Sequence, residues 1–177
     1  MPGMTRGFWR DRERYFETYW ARYPGVWVHG DWALVDPDGH WFIQGRSDDT
    51  LKVAGKRVGP AEVESAACAL TEVLEAAAVG VPHDVKGEAI VVFCVLAPGA
   101  TDSPELRGAI AARIAESMGK ALKPERVVVV AALPKTRSGK VMRRVARAAY
   151  LGLDPGDVSA LEDHLILDAI RAAGGLG

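Results

Sequence analysis

The hydrophobic pattern divides the chain into an aromatic opening and an Ala/Val/Leu-rich remainder. Residues 8–23 have helical spacing, with Trp9, Tyr15, Phe16, Tyr19, Trp20 and Tyr23 crowding one side, and Pro24-Gly25 stops the pattern. Residues 26–28 and 32–35 read as strands on either side of Gly30-Asp31. Asp36-Pro37-Asp38-Gly39 is a turn signal leading into the alternating run His40-Trp41-Phe42-Ile43, which predicts a hairpin. The polar, turn-forming stretch Gly45-Arg46-Ser47-Asp48-Asp49 follows and sets the expected division, residues 1–45 against 46–177. Beyond it, Leu51-Lys52-Val53 and Lys56-Arg57-Val58 flank Ala54-Gly55 as a second short hairpin. Gly59-Pro60-Ala61-Glu62 starts a helix whose apolar stripe is Val63, Ala66, Ala67 and Leu70. Residues 73–81 and 88–96 are continuously or alternately apolar, as strands covered by helices are. Asp102-Ser103-Pro104-Glu105 opens a helix through Met118, residues 127–131 return as a strand, and helical periods follow from Val141 and over 158–173. The succession predicts an α+β fold: a small β-sheet covered on one side by helices, preceded by β-hairpins and an aromatic helix.

Composition changes the picture of the opening segment most. All five tryptophans, Trp9, Trp20, Trp27, Trp32 and Trp41, precede residue 42, interleaved with Phe8 and four further aromatics. They fit either an ordinary core helix or an interface, and their number favours an interface. Lysine and arginine total 22 against 23 Asp and Glu, which excludes a general nucleic-acid footprint and leaves room for a local basic cluster. Arg143, Arg144 and Arg147 read as one solvated helix face. No apolar stretch approaches the roughly 18 residues of a membrane span, and the N-terminus has no signal-peptide apolar region. Cys68 and Cys94 have no metal-ligand spacing and apolar neighbours, which predicts buried free thiols in a reducing, cytoplasmic setting. His29, His40, His83 and His164 stand apart, without a nucleophile at motif spacing, so neither a catalytic histidine nor a metal cluster is expected.

The candidate chemistry converges on Pro134-Lys135-Thr136-Arg137-Ser138-Gly139-Lys140, a loop with three cations, a glycine and two hydroxyls between a strand and a basic helix. Outward N–H groups near a helix start, a glycine allowing close approach and a mobile lysine charge suit a phosphate. The P-loop spacing is missing. A solvated basic turn is equally compatible with the local composition. Asp31, after a glycine at a strand end, is placed either to accept two ribose hydroxyls or to cap a turn.

Gly30-Asp31, the run from Gly45-Arg46-Ser47-Asp48-Asp49 through Gly55-Lys56-Arg57 to Glu64, and the 134–140 loop resemble, in order and spacing, three signatures of adenylate-forming enzymes. The nearest branch is acetyl-CoA synthetase with its propionyl-CoA relatives. With residues 15–30 and the tail Gly156-Asp157-Val158-Ser159-Ala160-Leu161, the resemblance covers nearly the whole chain. It implies the end of the family's large N-terminal adenylating domain followed by the complete mobile C-terminal domain. It implies further that Asp31 holds ribose hydroxyls of ATP or AMP, Arg46 lies near that nucleotide, Arg57 contacts the α-phosphate, and Asp48 is the hinge. Lys140 resembles the catalytic lysine of adenylation, and Gly55 lines the path of the CoA pantetheine. Acetylation of Lys140 would remove that charge and add bulk, which makes Lys140 a candidate modification site as well. An arginine expected near Ala115 for the CoA phosphates is absent, with only Arg113 or Lys120 nearby. ATP or AMP with Mg, and CoA, are the implied substrates, with no bound cofactor or metal in the isolated chain. The implied partner is the large adenylating domain, without which the chain is expected to be inactive. Self-association through the aromatic segment is also expected, and no nucleic-acid or membrane partner. The competing expectation is a free-standing accessory module that docks on a partner protein.

Overall fold

A computed structural model describes residues 4–47 and 49–174. The chain divides into two compact units, 1–48 and 49–177.

In the first unit, Asp11 caps helix α1 (Arg12–Tyr19) by accepting the Arg14 N–H at 3.0 Å. This cap fixes a start four residues later than the 8–23 pattern. The aromatics do not share one side of the helix. Tyr15 and Tyr19 turn toward Phe8 (5.8 Å each), and Tyr19 stacks on Trp27 at 4.9 Å, whereas Trp9 and Phe16 face outward, 87% and 58% exposed. Residues 26–28 form no strand, because the Val28 N–H is taken by the Tyr19 carbonyl at 2.8 Å, tying this stretch to the helix end. The hairpin forms as expected: β1 (Asp31–Val35) pairs antiparallel with β2 (Trp41–Arg46). Asp36 shapes its turn by accepting N–H groups of Asp38 and His40 through Oδ1, and the His40 amide holds the Asp36 carboxyl below its ordinary range. β2 continues through Gly45 and Arg46, so a division after residue 45 falls inside this strand.

The second unit runs β3 (Leu51–Val53), β4 (Lys56–Val58), α2 (Pro60–Ala67), β5 (Val73–His83), β6 (Gly87–Leu96), α3 (Pro104–Met118), a 3₁₀ turn (Lys120–Leu122), β7 (Arg126–Val129), α4 (Arg143–Tyr150) and α5 (Leu165–Gly174). The sheet order is β4-β3-β6-β5, with β7 parallel to β6. Ser103 caps α3 by accepting the Leu106 N–H at 3.1 Å. Along β5 and β6 the alternation sends Ala78, Ile90, Val92 and Cys94 into one cluster with α2 and α3 residues, among them Val63, Ile110 and Ile114. It sends Ala77, Val79, Val91 and Phe93 into a second cluster with Val145 and Ala149 of α4 and Leu167 and Ile170 of α5. Helices therefore cover both faces, correcting the expected single covered side. The continuously apolar β6 requires this, since successive side chains point to opposite faces. The last helix begins at Leu165 and not at residue 158. Leu161, buried, bridges to Thr136, and the Glu162 N–H donates to the Lys135 carbonyl at 3.0 Å, so this stretch is held extended beside the 134–140 loop.

Cys94 is buried and Cys68 is exposed, correcting the expectation of two buried thiols. Burial pushes the Cys94 thiol up to about 12. In the unfolded chain a thiol loses its proton from about pH 8.5. Between these values the folded state binds more protons, so stability falls as pH rises, by up to about 1.4 kcal/mol per pH unit for one thiol. Denaturant midpoints compared at pH 8 and pH 10 should show this fall, and Cys94→Ala should flatten it. An unchanged slope in that variant would assign the alkaline loss to other groups.

Candidate functional site

The 134–140 loop is a closed turn. Lys135 and Val141 are bridged across its base, and the Met142 N–H donates to the Pro134 carbonyl at 2.8 Å. Inside it, Thr136 donates its N–H to the Lys140 carbonyl (2.9 Å) and accepts the Gly139 N–H (2.8 Å). Its hydroxyl accepts the Lys140 N–H at 3.1 Å. Gly139 sits at φ +81°, a left-handed position that favours glycine. The amides of Thr136, Gly139, Lys140 and Met142 are thus used within the loop and its base. What the loop offers outward is the Lys140 side chain, exposed and without an ion-pair partner among the described residues. Its neighbour Lys135 is instead held by Glu75 at 2.7 Å.

The three arginines of α4 do not form a solvated face. Arg143 places a two-pronged pair on Glu64 of α2, Nε to Oε1 and Nη2 to Oε2, both 2.7 Å, and lies 3.7 Å from an Asp49 oxygen. Arg144 donates to the carbonyls of Pro155 and Asp157, and Arg147 to that of Gly80 on β5. Glu64 Oε1 also accepts the Ala78 N–H at 2.9 Å. Both Gly80 and Ala78 lie on β5, the terminal strand of the sheet order, so these side chains occupy backbone groups of an edge that would otherwise be open. Glu64 and Asp49 were not singled out from the sequence. A contact across 79 residues leaves no local pattern.

The β3–β4 hairpin forms the end of the sheet opposite β5, and its Leu51, Val53 and Val58 pack in the α2/α3 cluster, whereas Leu133 and Val145, flanking the Lys140 loop, pack in the α4/α5 cluster. Ala54 (φ +49°) and Gly55 (φ +77°) make its turn, and the Ala54 N–H donates to the Lys86 carbonyl at 3.0 Å. Nothing lies within 4 Å of where a Gly55 side chain would be. Arg57 is exposed on β4, opposite Lys52. Beside the turn, Ala54, Lys86, Lys120 and Lys123 line an open cleft of about 400 Å³. Arg113 lies on α3, 3.9 Å from Glu116.

In the first unit Asp31 and Arg46 are direct cross-strand partners. Arg46 Nη1 donates to the His29 carbonyl at 3.0 Å and lies 3.8 Å from Asp31 Oδ1, while His29 Nδ1 closes on Asp31 Oδ2. The part of His29 was missed, because the left-handed turn at Gly30 (φ +88°), which no strand alternation predicts, brings it to Asp31. Asp48, the expected hinge, lies outside the described residues. Asp36, Asp38 and His40 bring ligand-type atoms within 4.8 Å of one another at the hairpin turn. Among the described residues no helix is long and apolar enough to cross a membrane.

Residues 62–140 match the model of the AMP-binding enzyme C-terminal domain. The chain is 51% identical over 164 residues to acetyl-coenzyme A synthetase of Methanothrix thermoacetophila, covering 90% of this chain and 25% of that protein. It is 46% identical over 172 residues to the acetyl-coenzyme A synthetase of Pyrobaculum arsenaticum (97% and 26%), and 45% identical over 174 residues to the 3-hydroxypropionyl-coenzyme A synthetase of Sulfurisphaera tokodaii (97% and 26%). Among solved structures, acetoacetyl-CoA synthetase from Streptomyces lividans superposes with a TM-score of 0.80 at 29% identity, over 93% of this chain and 25% of that one. The chain spans about a quarter of the length of these relatives and corresponds to their C-terminal part.

Proposed function

Because the chain belongs to the AMP-binding enzyme C-terminal domain family, we propose that it is the C-terminal portion of an ATP-dependent, AMP-forming acyl-CoA synthetase acting on acetate or propionate. Its substrates are then ATP, entering as its magnesium complex, the carboxylate and CoA. The reaction has two steps: the carboxylate attacks the α-phosphorus of ATP, expelling pyrophosphate, and the CoA thiol then attacks the acyl carbon, expelling AMP. Lys140 serves the first step by neutralising charge that builds up on the carboxylate and α-phosphate oxygens. Asp31 and Arg46 hold the nucleotide from the first unit, Arg57 reaches the α-phosphate, Gly55 leaves room for pantetheine, and Asp48 is the hinge.

The observation that carries this reading is the exposed ammonium of Lys140 on a closed turn, without an ion-pair partner among the described residues. A second feature supports the two-step scheme. The segments flanking the Lys140 loop pack in one core cluster and the Gly55 hairpin in the other, so the two are separate surfaces of one unit and a rotation can present them in turn. A free-standing accessory module is not supported by relatives named as synthetases. The cytoplasm is our reading of the compartment, from the two free thiols.

ATP–pyrophosphate exchange with acetate tests the proposal. The chain alone should show none, and mixing with the large adenylating domain of a related synthetase should restore it. Exchange by the chain alone, or no restoration by a domain that binds it, would overturn the reading.

A further inference from the structure

Arg143 stands three residues past Lys140 and one past Met142, whose N–H closes the base of the loop on Pro134 at 2.8 Å. We propose that Arg143 is a positioning residue for Lys140, an inference that rests on the reading of Lys140 given above. Its guanidinium clamps the base of the loop to α2 and to Asp49, the first residue of the second unit.

The hydrogen bonds inside the loop fix its shape but not where it stands on the domain. Backbone pairing with Leu161 and Glu162 and two side-chain contacts do that. On the N-terminal side Lys135 holds Glu75, and on the C-terminal side Arg143 holds Glu64. The second is the more constrained. Both N–H···O bonds are 2.7 Å, the side chains are only 24% and 14% exposed, and Glu64 is itself pinned by the Ala78 N–H, so the carboxylate has little freedom to swing. A planar fork meeting a carboxylate sets direction as well as distance, which a lysine at this position does not. Asp49, at 3.7 Å, is the looser partner. Arg144 and Arg147 brace α4 against the 155–157 segment and β5. Partly buried ion pairs are a weak source of net stability, because removing two ions from water costs about as much as their attraction returns. Orientation of the loop is the role that fits the geometry.

Amide hydrogen exchange in the full chain tests the clamp at Thr136, Gly139, Lys140 and Met142. Arg143→Ala and Glu64→Gln should speed exchange at these amides about tenfold, and Arg143→Lys by less. Val58→Ala, in the core cluster away from the loop, supplies a control that lowers global stability through a cavity. Unchanged loop amides in Arg143→Ala and Glu64→Gln, or equal acceleration in Val58→Ala, would overturn the proposal. Should Arg143→Ala fail to fold, Glu64→Gln, which keeps the side-chain volume and the bond to Ala78, carries the test.

A second arm uses the chain reconstituted with a large adenylating domain. Arg143→Ala should lower the kcat of adenylation with little change in KM for ATP, and should spare thioester formation from supplied acyl-adenylate. Normal adenylation in Arg143→Ala, alongside a crippled Lys140→Ala, would also overturn the proposal. If Lys140→Ala itself adenylates normally, the reading of Lys140 fails, and the exchange arm still judges the clamp.

Discussion

Lys140→Ala, in a complex reconstituted with a large adenylating domain, should lose adenylation by roughly a hundredfold to a thousandfold, the usual cost of removing one preorganised charge from a developing anion. Thioester formation from supplied acyl-adenylate should stay near the wild-type rate, because in the proposed scheme Lys140 acts only while the phosphoanhydride is being broken. Pyrophosphate exchange and acyl transfer from the adenylate measure the two steps separately. The surrounding loop sharpens the contrast. Lys135 is engaged with Glu75 and anchors the loop, so Lys135→Ala should act on loop position more than on charge at the reacting phosphate. Acetylation of Lys140 should mimic the alanine variant, since it removes the charge. Equal losses in both half-reactions for Lys140→Ala, or a matching loss for Lys135→Ala, would reduce Lys140 to one more solvated cation.

Much of the frame was legible because it rests on local signals. The cap at Ser103, the Pro60 helix start, the turn at Asp36 to Gly39 and the alternation of β5 and β6 each report chemistry within a few residues. What escaped depends on contacts between distant segments. The helical period over 158–173 is real in the sequence, but pairing of Leu161 with Thr136 overrides it up to residue 164. Residues 26–28 have strand-like composition, yet Val28 bonds to the helix end and has no strand beside it. The second covered face of the sheet was implied by the continuous apolar run of β6. It was masked because α4 carries three arginines, which read as a solvent face while Val145, Ala146 and Ala149 between them are fully buried. The candidate site divides in the same way. Lys140, Gly55, Arg57, Asp31 and Arg46 lie in motifs and could be named from them. The contacts of Glu64 and Asp49 with Arg143, and of His29 with Asp31, show in no local pattern.

Self-association through the first unit is the second expected result of large effect. Successive residues of a strand point to opposite faces, and Leu34 and Val35 on β1, with Trp41, Phe42 and Ile43 on β2, are all about half exposed or more, up to 72% at Trp41. The hairpin is therefore apolar on both faces, and two strands alone are marginal in water. Each such side chain gains about 1.5–3 kcal/mol on full burial, and about half of that from a half-exposed start. Five of them yield a sum comparable with the lower part of the roughly 4–15 kcal/mol cost of association. The expected outcome is thus weak, concentration-dependent assembly and not a tight dimer. Sedimentation should show the full chain growing in mass as concentration rises. The chain lacking the residues before Gly45 should stay monomeric, because the second unit keeps its own two core clusters without them. A full chain that remains monomeric at high concentration would mean that the aromatic segment finds its cover within the same molecule.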